Sequence, residues 1–321
     1  MTVLAKEEVS SRIAMEKTLK YSQTVEKAGN LLFRFPLKKV RGIPLREPIA
    51  QNIESVWAFC PDPTDILIAT YPKAGTTWAQ EIVDLLLHNG DKEACKRGPI
   101  VLRSPFLEIF YPPPMLSGLD LLYQMSPPRI IKTHLAIQLI PEGFWEKKCK
   151  VIYVARNAKD NLVSYYHFDR MTLTQPEPGS WENYIQKFMN GDLGWGSWYD
   201  HVKGYWKERE KRNILYLFYE DLKENPQREV ERIMQYLDLS VSDEVIARIV
   251  ELTSFEVMKE NPMTNYSFNP KNMFDQSISA FMRKGEVGDW VNHFSASQLK
   301  IFDENYEQQM EMANIPFRSN L

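Results

Sequence analysis

The chain has 321 residues, of which 44% are hydrophobic and 25% charged, and this composition suits one large globular α/β domain. A formal net charge of -3 excludes the overall basic field that nucleic-acid-binding domains carry, and no apolar run approaches the ~20 residues of a membrane-spanning helix. The three cysteines show neither metal-ligand spacing nor a disulfide framework, which suits a reducing compartment.

The N-terminal segment, residues 1–35, is rich in charged residues and lacks the apolar core of a signal peptide. We expect a solvated extension, either helical or disordered. The remainder, residues 36–321, contains no internal repeat, no low-complexity linker and no shift in composition, and it is therefore predicted to form one domain.

Short, continuous apolar runs predict buried strands of a parallel sheet, because a strand covered on both faces does not alternate apolar and polar residues. There are four such runs: Ile66–Ala69, Arg129–Lys132, Val151–Ala155 and Ile214–Phe218.

Helical patterns lie between and after these strands. In the first, apolar residues at Trp78, Ile82, Leu85 and Leu86 lie on one helix face, and the pattern stops at Asn89–Gly90. Strands that alternate with helices predict a single α/β domain whose central parallel sheet is flanked by helices on both faces. Two later patterns of the same kind comprise Val230, Ile233, Met234 and Leu237, and Val245, Ile249 and Leu252.

The first predicted strand leads through the segment TYPKAGTTW directly into a helix. Gly75 allows close approach of a ligand to the backbone, while Thr76 and Thr77 add hydroxyl groups at a helix N-terminus and Lys73 adds a positive charge. This combination indicates a phosphate or sulfate site. A plain capped helix start is the alternative, because the full Walker pattern G-x-x-x-x-G-K-[ST] is absent.

Polar residues follow the other predicted strands as well. Lys132 and His134 fall on the same side of an extended segment, where they could combine anion stabilisation with general-base catalysis, although a surface lysine and a structural histidine would give the same pattern. Arg156 and Tyr219 follow the third and fourth strands. Since ligands of open α/β sheets bind outside the carboxyl ends of the strands, we expect these side chains to converge on one crevice.

Two further features fit such a crevice. A late cationic loop contains Arg283, Lys284 and Gly285. Aromatic and methionine residues are frequent in the intervening loops, which is typical of an apolar pocket for a small molecule. They are Phe106, Phe110, Tyr111, Phe168, Met171, Trp195, Tyr266, Met273 and Phe274.

Taken together, these motifs resemble the cytosolic sulfotransferases, especially their phenol-type branch, over about residues 42–321. TYPKAGTTW resembles the family's 5'-phosphosulfate loop, RNAKDNLVSYYHF its 3'-phosphate loop, and FMRKGEVGDW its second 3'-phosphate element. The resemblance implies a phosphate-loop-containing fold related to nucleotide kinases, a cytoplasmic enzyme, no metal, and the donor 3'-phosphoadenosine 5'-phosphosulfate, which leaves as adenosine 3',5'-bisphosphate. It implies a small aromatic hydroxyl or amine as acceptor.

The same resemblance implies a role for each matching residue. His134 is expected to be the general base, assisted by Lys73 and Lys132. The remaining donor-binding residues are expected to be Ala74, Gly75, Thr76, Thr77, Trp78, Arg156, Ser164, Tyr219, Thr253, Ser254, Phe255, Met258, Phe281, Met282, Arg283, Lys284 and Gly285; the acceptor is expected to contact Phe106, Lys132, His134, Phe168, Trp195, Tyr266 and Phe274.

The chain departs from the family pattern at several positions. Ala74 stands where serine is commoner, and Ala136 and Ala280 each replace a usual proline. The family's dimerisation motif, K-x-x-x-T-V-x-x-x-E, is degraded, which predicts a monomer or a weak dimer. Its charged and apolar positions are occupied by Val291, Ser295, Ala296 and Lys300.

Two other functions compete with sulfuryl transfer. A phosphate-loop kinase or NTPase would need a Lys-Ser/Thr pair after the glycines and an acidic ligand for Mg²⁺ after a strand, whereas Lys73 precedes Gly75 here. A non-catalytic nucleotide-binding module would have no need of a base at His134.

Overall fold

The computed structural model describes residues 3–29, 33–111 and 113–320. The strands of this part are β1 (Leu37–Val40), β2 (Ile43–Arg46), β3 (Ile66–Thr70), β4 (Ile130–Thr133), β5 (Lys150–Ala155) and β6 (Ile214–Phe218). The helices are α1 (Val3–Ala28), α2 (Glu47–Gln51), α3 (Ile53–Trp57), α4 (Thr76–Leu87), α5 (Lys92–Cys95), α6 (Ile100–Arg103), α7 (Gly118–Tyr123), α8 (Gly143–Glu146), α9 (Ala158–Met171), α10 (Trp181–Asn190), α11 (Trp198–Glu208), α12 (Tyr219–Glu224), α13 (Pro226–Tyr236), α14 (Asp243–Leu252), α15 (Phe255–Glu260) and α16 (Ala296–Met310). Each helix in the described part of the chain is too short or too polar to span a bilayer.

The central sheet is parallel, with the strand order β4–β3–β5–β6, so the predicted fold class and all four predicted strands are confirmed. Side chains of each strand alternate between two apolar layers. Ile68 and Val154 pack with helices α4, α13 and α14, whereas Ala69 and Tyr153 pack on the opposite face with Leu107 and Tyr205 and their neighbours. Because both faces are buried, continuous apolar strands are the expected pattern.

The helix after β3 begins and ends where the sequence indicates. Gly75 precedes it with a positive φ of 104°, a backbone conformation that favours glycine. At the other end Asn89 and Gly90 have φ values of 52° and 71°, and the Gly90 N–H donates to the carbonyl of Leu85 over 2.8 Å. This left-handed ending satisfies a helix carbonyl that would otherwise lack a partner.

An antiparallel hairpin of β1 and β2 was not predicted. Its turn consists of Arg41 and Gly42, which both have positive φ, as a two-residue hairpin turn requires. The hairpin docks on the domain through the Pro44 carbonyl, which accepts a hydrogen bond of 2.8 Å from the Trp195 N–H. The last residue of this hairpin, Arg46, therefore reaches the interior of the domain.

The N-terminal extension is helical, but the expectation that it is solvated is wrong for its last turns. Val25 and Ala28 are fully buried and pack with Met115 and Met273. Tyr21 makes an edge contact with Phe268, with 5.7 Å between ring centroids. The apolar residues at the end of α1 are thus spaced to form a buried face, although the segment as a whole is rich in charged residues. Residues 1–2 and 30–32 of the predicted extension lie outside the described residues.

Candidate active site

A cavity of about 710 Å³ opens at the carboxyl edge of the sheet. Its wall includes Lys73, His134, Arg156 and Tyr219, each of which follows the end of a strand. Every residue predicted for donor or acceptor binding lines this cavity except Ala74, which is fully buried within the loop between β3 and α4. The four separate sequence signals therefore belong to one site, and the predicted contact of Ala74 with the donor stays a prediction.

The loop from β3 to α4 has the geometry of an anion site. Gly75 and Lys73 both have positive φ, and a Cβ at Gly75 would lie 3.0 Å from the Tyr219 ring. The N-terminus of α4 follows at once, where backbone N–H groups lack helical partners. The hydroxyl oxygens of Thr70 and Thr76 are 2.7 Å apart and hold the start of the helix against the sheet.

The Lys73 ammonium lies over aromatic rings, 4.0 Å from the ring centroid of Phe281 and 4.8 Å from that of Phe168. Burial, reinforced by the positive charges of Lys132, Arg156 and Arg283, lowers its pKa to about 7. Positive groups in this position favour an anionic ligand, since a bound anion would offset their mutual repulsion.

Two guanidinium groups border the same part of the cavity, that of the buried Arg156 and that of the half-buried Arg283. Arg156 donates to the carbonyls of Glu286 (2.9 Å) and Lys73 (3.4 Å), and Arg283 pairs with the carboxylate of Asp289 at 2.6 Å. The Nε atoms of Arg156 and Arg283 are nevertheless buried without a hydrogen-bond partner in the described part of the chain. Because such atoms normally find an acceptor, this end of the cavity is suited to a phosphate.

Next to these cations the wall forms an apolar slot. Trp78 meets Tyr219 edge-on, with ring centroids 5.6 Å apart, and Gly285 has a φ of 66° and lies so close to Phe255 that a Cβ there would overlap the ring. A flat aromatic base fits between such rings. Ser164, Thr253, Ser254 and Met258 complete this wall.

His134 is oriented by the strand beside it. Its Nδ1 lies 2.8 Å from the Thr70 carbonyl and 3.1 Å from the Thr70 hydroxyl. A carbonyl can only accept, so Nδ1 carries the proton and Nε2 keeps a free lone pair. Burial, followed by the positive charge of Lys132, holds the pKa of His134 well below 6.5. The side chain is therefore a neutral imidazole in the wall of the cavity.

Glu108 supports this histidine and was missed by sequence reasoning. Its fully buried carboxylate accepts hydrogen bonds from the His134 backbone N–H (2.7 Å), the Thr133 hydroxyl (2.9 Å) and the Trp195 indole (3.2 Å). Burial raises its pKa to about 7. A lone glutamate in an aromatic loop gives no sequence signal, because its partners are distant along the chain.

The far end of the cavity is aromatic, as predicted. The rings of Phe106 and Trp195 flank His134 with centroid distances of 4.9 and 5.4 Å, and the Lys132 ammonium lies 4.4 Å from the Phe106 centroid. Phe168, Phe274, Phe281 and Tyr266 form a second group of contacting rings. The lining also includes residues that were not predicted, among them Tyr21, Lys17 and Lys20 of α1 and Arg46 of β2.

Comparison with known proteins gives a consistent result. A family model described as "Sulfotransferase domain" matches residues 63–313. Sulfotransferase 1C2 of Rattus norvegicus is 53% identical over 281 residues, covering 88% of this chain and 95% of that protein. Sulfotransferase 1B1 of Canis lupus familiaris is 49% identical over 285 residues, covering 89% and 96%.

The chain also superposes on solved structures over most of its length. Mouse sulfotransferase SULT7A1 complexed with PAP superposes with a TM-score of 0.71 at 29% identity, covering 87% of this chain and 95% of that one. Retinol dehydratase in complex with androsterone and the inactive cofactor PAP gives a TM-score of 0.79 at 25% identity, covering 91% and 95%.

Proposed function

Because the chain belongs to the sulfotransferase domain family, we propose that the cavity at the carboxyl edge of its sheet is where it transfers a sulfuryl group from 3'-phosphoadenosine 5'-phosphosulfate to a small phenolic acceptor. The observation that carries the site assignment is the composition of the wall. It joins His134 to Lys73, Arg156 and Arg283, and no Asp or Glu of the described residues lines it. A wall of this kind suits a polyanionic nucleotide and does not offer the carboxylate ligands for Mg²⁺ that a phosphate-loop kinase needs.

We assign the donor to the cationic end. Arg156 and Arg283, whose Nε atoms have no partner among the described residues, would hold the 3'-phosphate together with Lys284 and Ser164. The base would occupy the slot between Trp78, Tyr219 and Phe255 described above, and the loop at Gly75 and Thr76 would hold the 5' end. When bound, the donor supplies a sulfuryl group and a phosphate leaving group.

We assign the acceptor to the aromatic end, with its hydroxyl against His134 Nε2. The free lone pair accepts the hydroxyl proton as the oxygen attacks sulfur in line with the leaving oxygen, and the Thr70 carbonyl stabilises the imidazolium that forms. Lys73 and Lys132 place positive charge beside the transferring group and the bridging oxygen. The stacked rings of Phe106 and Trp195, with centroids 6.1 Å apart, give the acceptor's ring an apolar surface to pack on.

The function is tested by incubating the protein with labelled donor and a panel of simple phenols, catecholamines, steroids, aliphatic alcohols and sugars. A phenol should give the highest kcat/KM, because aromatic walls cannot replace the water contacts that a sugar loses on binding. A sugar preferred to every phenol would overturn the acceptor assignment. Phosphorylated products from ATP and Mg²⁺ would support the kinase alternative.

Substitution of Arg283 by alanine should weaken binding of adenosine 3',5'-bisphosphate by about 10- to 150-fold, because a charge-assisted contact contributes roughly 1.5–3 kcal/mol. Binding of adenosine 5'-monophosphate, which lacks the 3'-phosphate, should change by less than about 3-fold on the same scale. Calorimetry with both ligands measures the difference, and Arg209→Ala, outside the cavity, is the matched control. Equal loss for both ligands would show that Arg283 does not contact the 3'-phosphate.

We also propose that the protein acts in the cytoplasm, because its three scattered thiols suit a reducing compartment.

We propose further that the protein is a monomer at micromolar concentration. The degraded dimer motif is on the surface: Val291 is 57% exposed, Ser295 caps α16, and the Lys300 ammonium pairs with Glu304 of its own helix at 4.0 Å. A small two-fold contact has little affinity to spare. Light scattering should give the monomer mass, and a dimer that dissociates on Val291→Asp would contradict this expectation.

A further inference from the structure

Arg46 is a buried cation that the mechanism above does not use. It ends β2, is only 2% exposed, and lines the acceptor end of the cavity. Among the residues that the structure describes, its guanidinium makes one side-chain hydrogen bond, from Nη1 to the Thr174 hydroxyl at 3.1 Å, and its buried Nε has no partner. The guanidinium carbon lies 5.3 Å from the Tyr111 ring centroid. Aromatic contacts offset only part of the cost of burying a charge.

None of the carboxylates in the described residues lies within ion-pair distance of Arg46. The charge of Arg46 acts on the nearby acid Asp169. Burial raises the pKa of Asp169 to about 7, and the positive charges of Arg34 and Arg46 oppose part of that rise. Asp169 accepts a hydrogen bond of 2.6 Å from the Tyr184 hydroxyl instead. A buried charge in a folded protein is normally paired, so Arg46 is suited to bind an anionic ligand.

Arg46 is close to the reacting centre. The Trp195 ring lies between the two, with its centroid 5.9 Å from the Arg46 guanidinium carbon and 5.4 Å from the His134 ring centroid. Arg46 also contributes, after burial, to the lowered pKa of Lys132, which is about 8. Two cations that repel each other across an apolar pocket favour a ligand with negative charge.

The rim of this end is basic too. Lys17 and Lys20 of α1 border the cavity, are exposed, and form no ion pair with the described side chains. They add positive potential where an acceptor would enter.

We propose that Arg46 binds a carboxylate of the acceptor, so that the preferred substrates are phenols with a carboxylate-bearing side chain. This inference rests on the proposed function, since it specifies the acceptor class of the same site. The phenolic hydroxyl lies against His134, the ring packs on Trp195, and the carboxylate receives the guanidinium N–H groups beside the Thr174 hydroxyl.

The test uses three acceptors that share one phenol ring and differ only in charge: 3-(4-hydroxyphenyl)propionate, its amide, and tyramine. For the wild-type protein kcat/KM should be highest for the carboxylate and lowest for the amine. In Arg46→Gln the carboxylate should lose about 10- to 100-fold in kcat/KM, the amide should change less than about 3-fold, and the amine should gain. Arg46→Lys, which keeps the charge but loses the planar donor set, should retain part of the preference.

The outcomes separate the alternatives. Equal loss for all three acceptors in Arg46→Gln, or a wild-type protein that sulfates the amide as well as the carboxylate, would overturn the subsite. Melting temperature and binding of adenosine 3',5'-bisphosphate check the fold, and Arg46→Lys and Thr174→Val carry the test if Arg46→Gln does not fold. A wild-type protein that sulfates none of these acceptors, nor 2-naphthol, would overturn the proposed function and this inference with it.

Discussion

Replacement of His134 by alanine should lower kcat by about 10²- to 10⁴-fold, the usual effect of removing a general base, while the affinity for adenosine 3',5'-bisphosphate changes less than about 3-fold. The two effects separate because His134 lies at the aromatic end of the cavity, between Phe106 and Trp195, and not in the cationic end. Single-turnover rates with labelled donor and calorimetry with the bisphosphate measure them.

The hydrogen bonds of His134 explain why its loss should be so costly. Donation from Nδ1 to the Thr70 carbonyl fixes the tautomer, and the His134 carbonyl in turn accepts from His201 Nε2 at 3.0 Å. His201 Nδ1 accepts from the Tyr153 hydroxyl at 2.7 Å, so the chain of bonds reaches the centre of the sheet. The base is therefore positioned before any ligand binds, which is a condition for efficient proton transfer.

The pH dependence provides a second measure of the same assignment. Because the pKa of His134 in the free protein is lowered from 6.5, the base is unprotonated at neutral pH, and on the acid side of the profile kcat/KM should begin to fall only below pH 6.5. His88→Ala removes an imidazole that does not line the cavity and should leave turnover within about 2-fold of wild type on the same assay. More than a tenth of the wild-type rate in His134→Ala would contradict the assignment.

The fold and most of the site were predictable because their signals are local. Continuous apolar strands, the helix start at Gly75 and the left-handed stop at Asn89–Gly90 each depend on a few consecutive residues. Parallel strands then bring their carboxyl ends to one edge, which is why Lys73, His134 and Arg156 could be assigned to one crevice from order alone.

What sequence reasoning missed depends on contacts between distant segments. The β1–β2 hairpin is short and its turn, Arg41–Gly42, is a weaker signal than Asn-Gly, so neither the hairpin nor a role for Arg46 was predicted. Glu108 acquires its role only where β4 and the Trp195 loop meet it. The burial of the end of α1 likewise requires partners from the remote Met115 and Met273.

Substitution of Lys73 by methionine should lower kcat by about 10²- to 10³-fold, the loss seen when one preorganised donor to a developing charge is removed. The positive φ of 70° at Lys73 turns its side chain toward Phe281 and Phe168, between the cationic and aromatic ends of the cavity. Methionine keeps most of the apolar stem, so the change isolates the charge. Lys300→Met, on an exposed face of α16, should leave kcat unchanged.

Lys73 should also couple donor binding to proton uptake, because its pKa of about 7 in the free protein leaves it largely neutral at pH 8. Burial and neighbouring cations lower this pKa, and the negative charges of a bound nucleotide would raise it again, so binding at pH 8 should take up as much as about one proton. The lowered pKa of Lys73 also makes the stability of the free protein depend on pH. The cost of burying charged Lys73 is greatest below pH 7, and it is relieved as pH rises from 7 toward 10.5, the pKa of this lysine in the unfolded chain. Calorimetry with adenosine 3',5'-bisphosphate in buffers of different ionisation enthalpy counts the protons. Uptake should be lost in Lys73→Met and kept in Lys300→Met; full uptake in Lys73→Met would place the titrating group elsewhere.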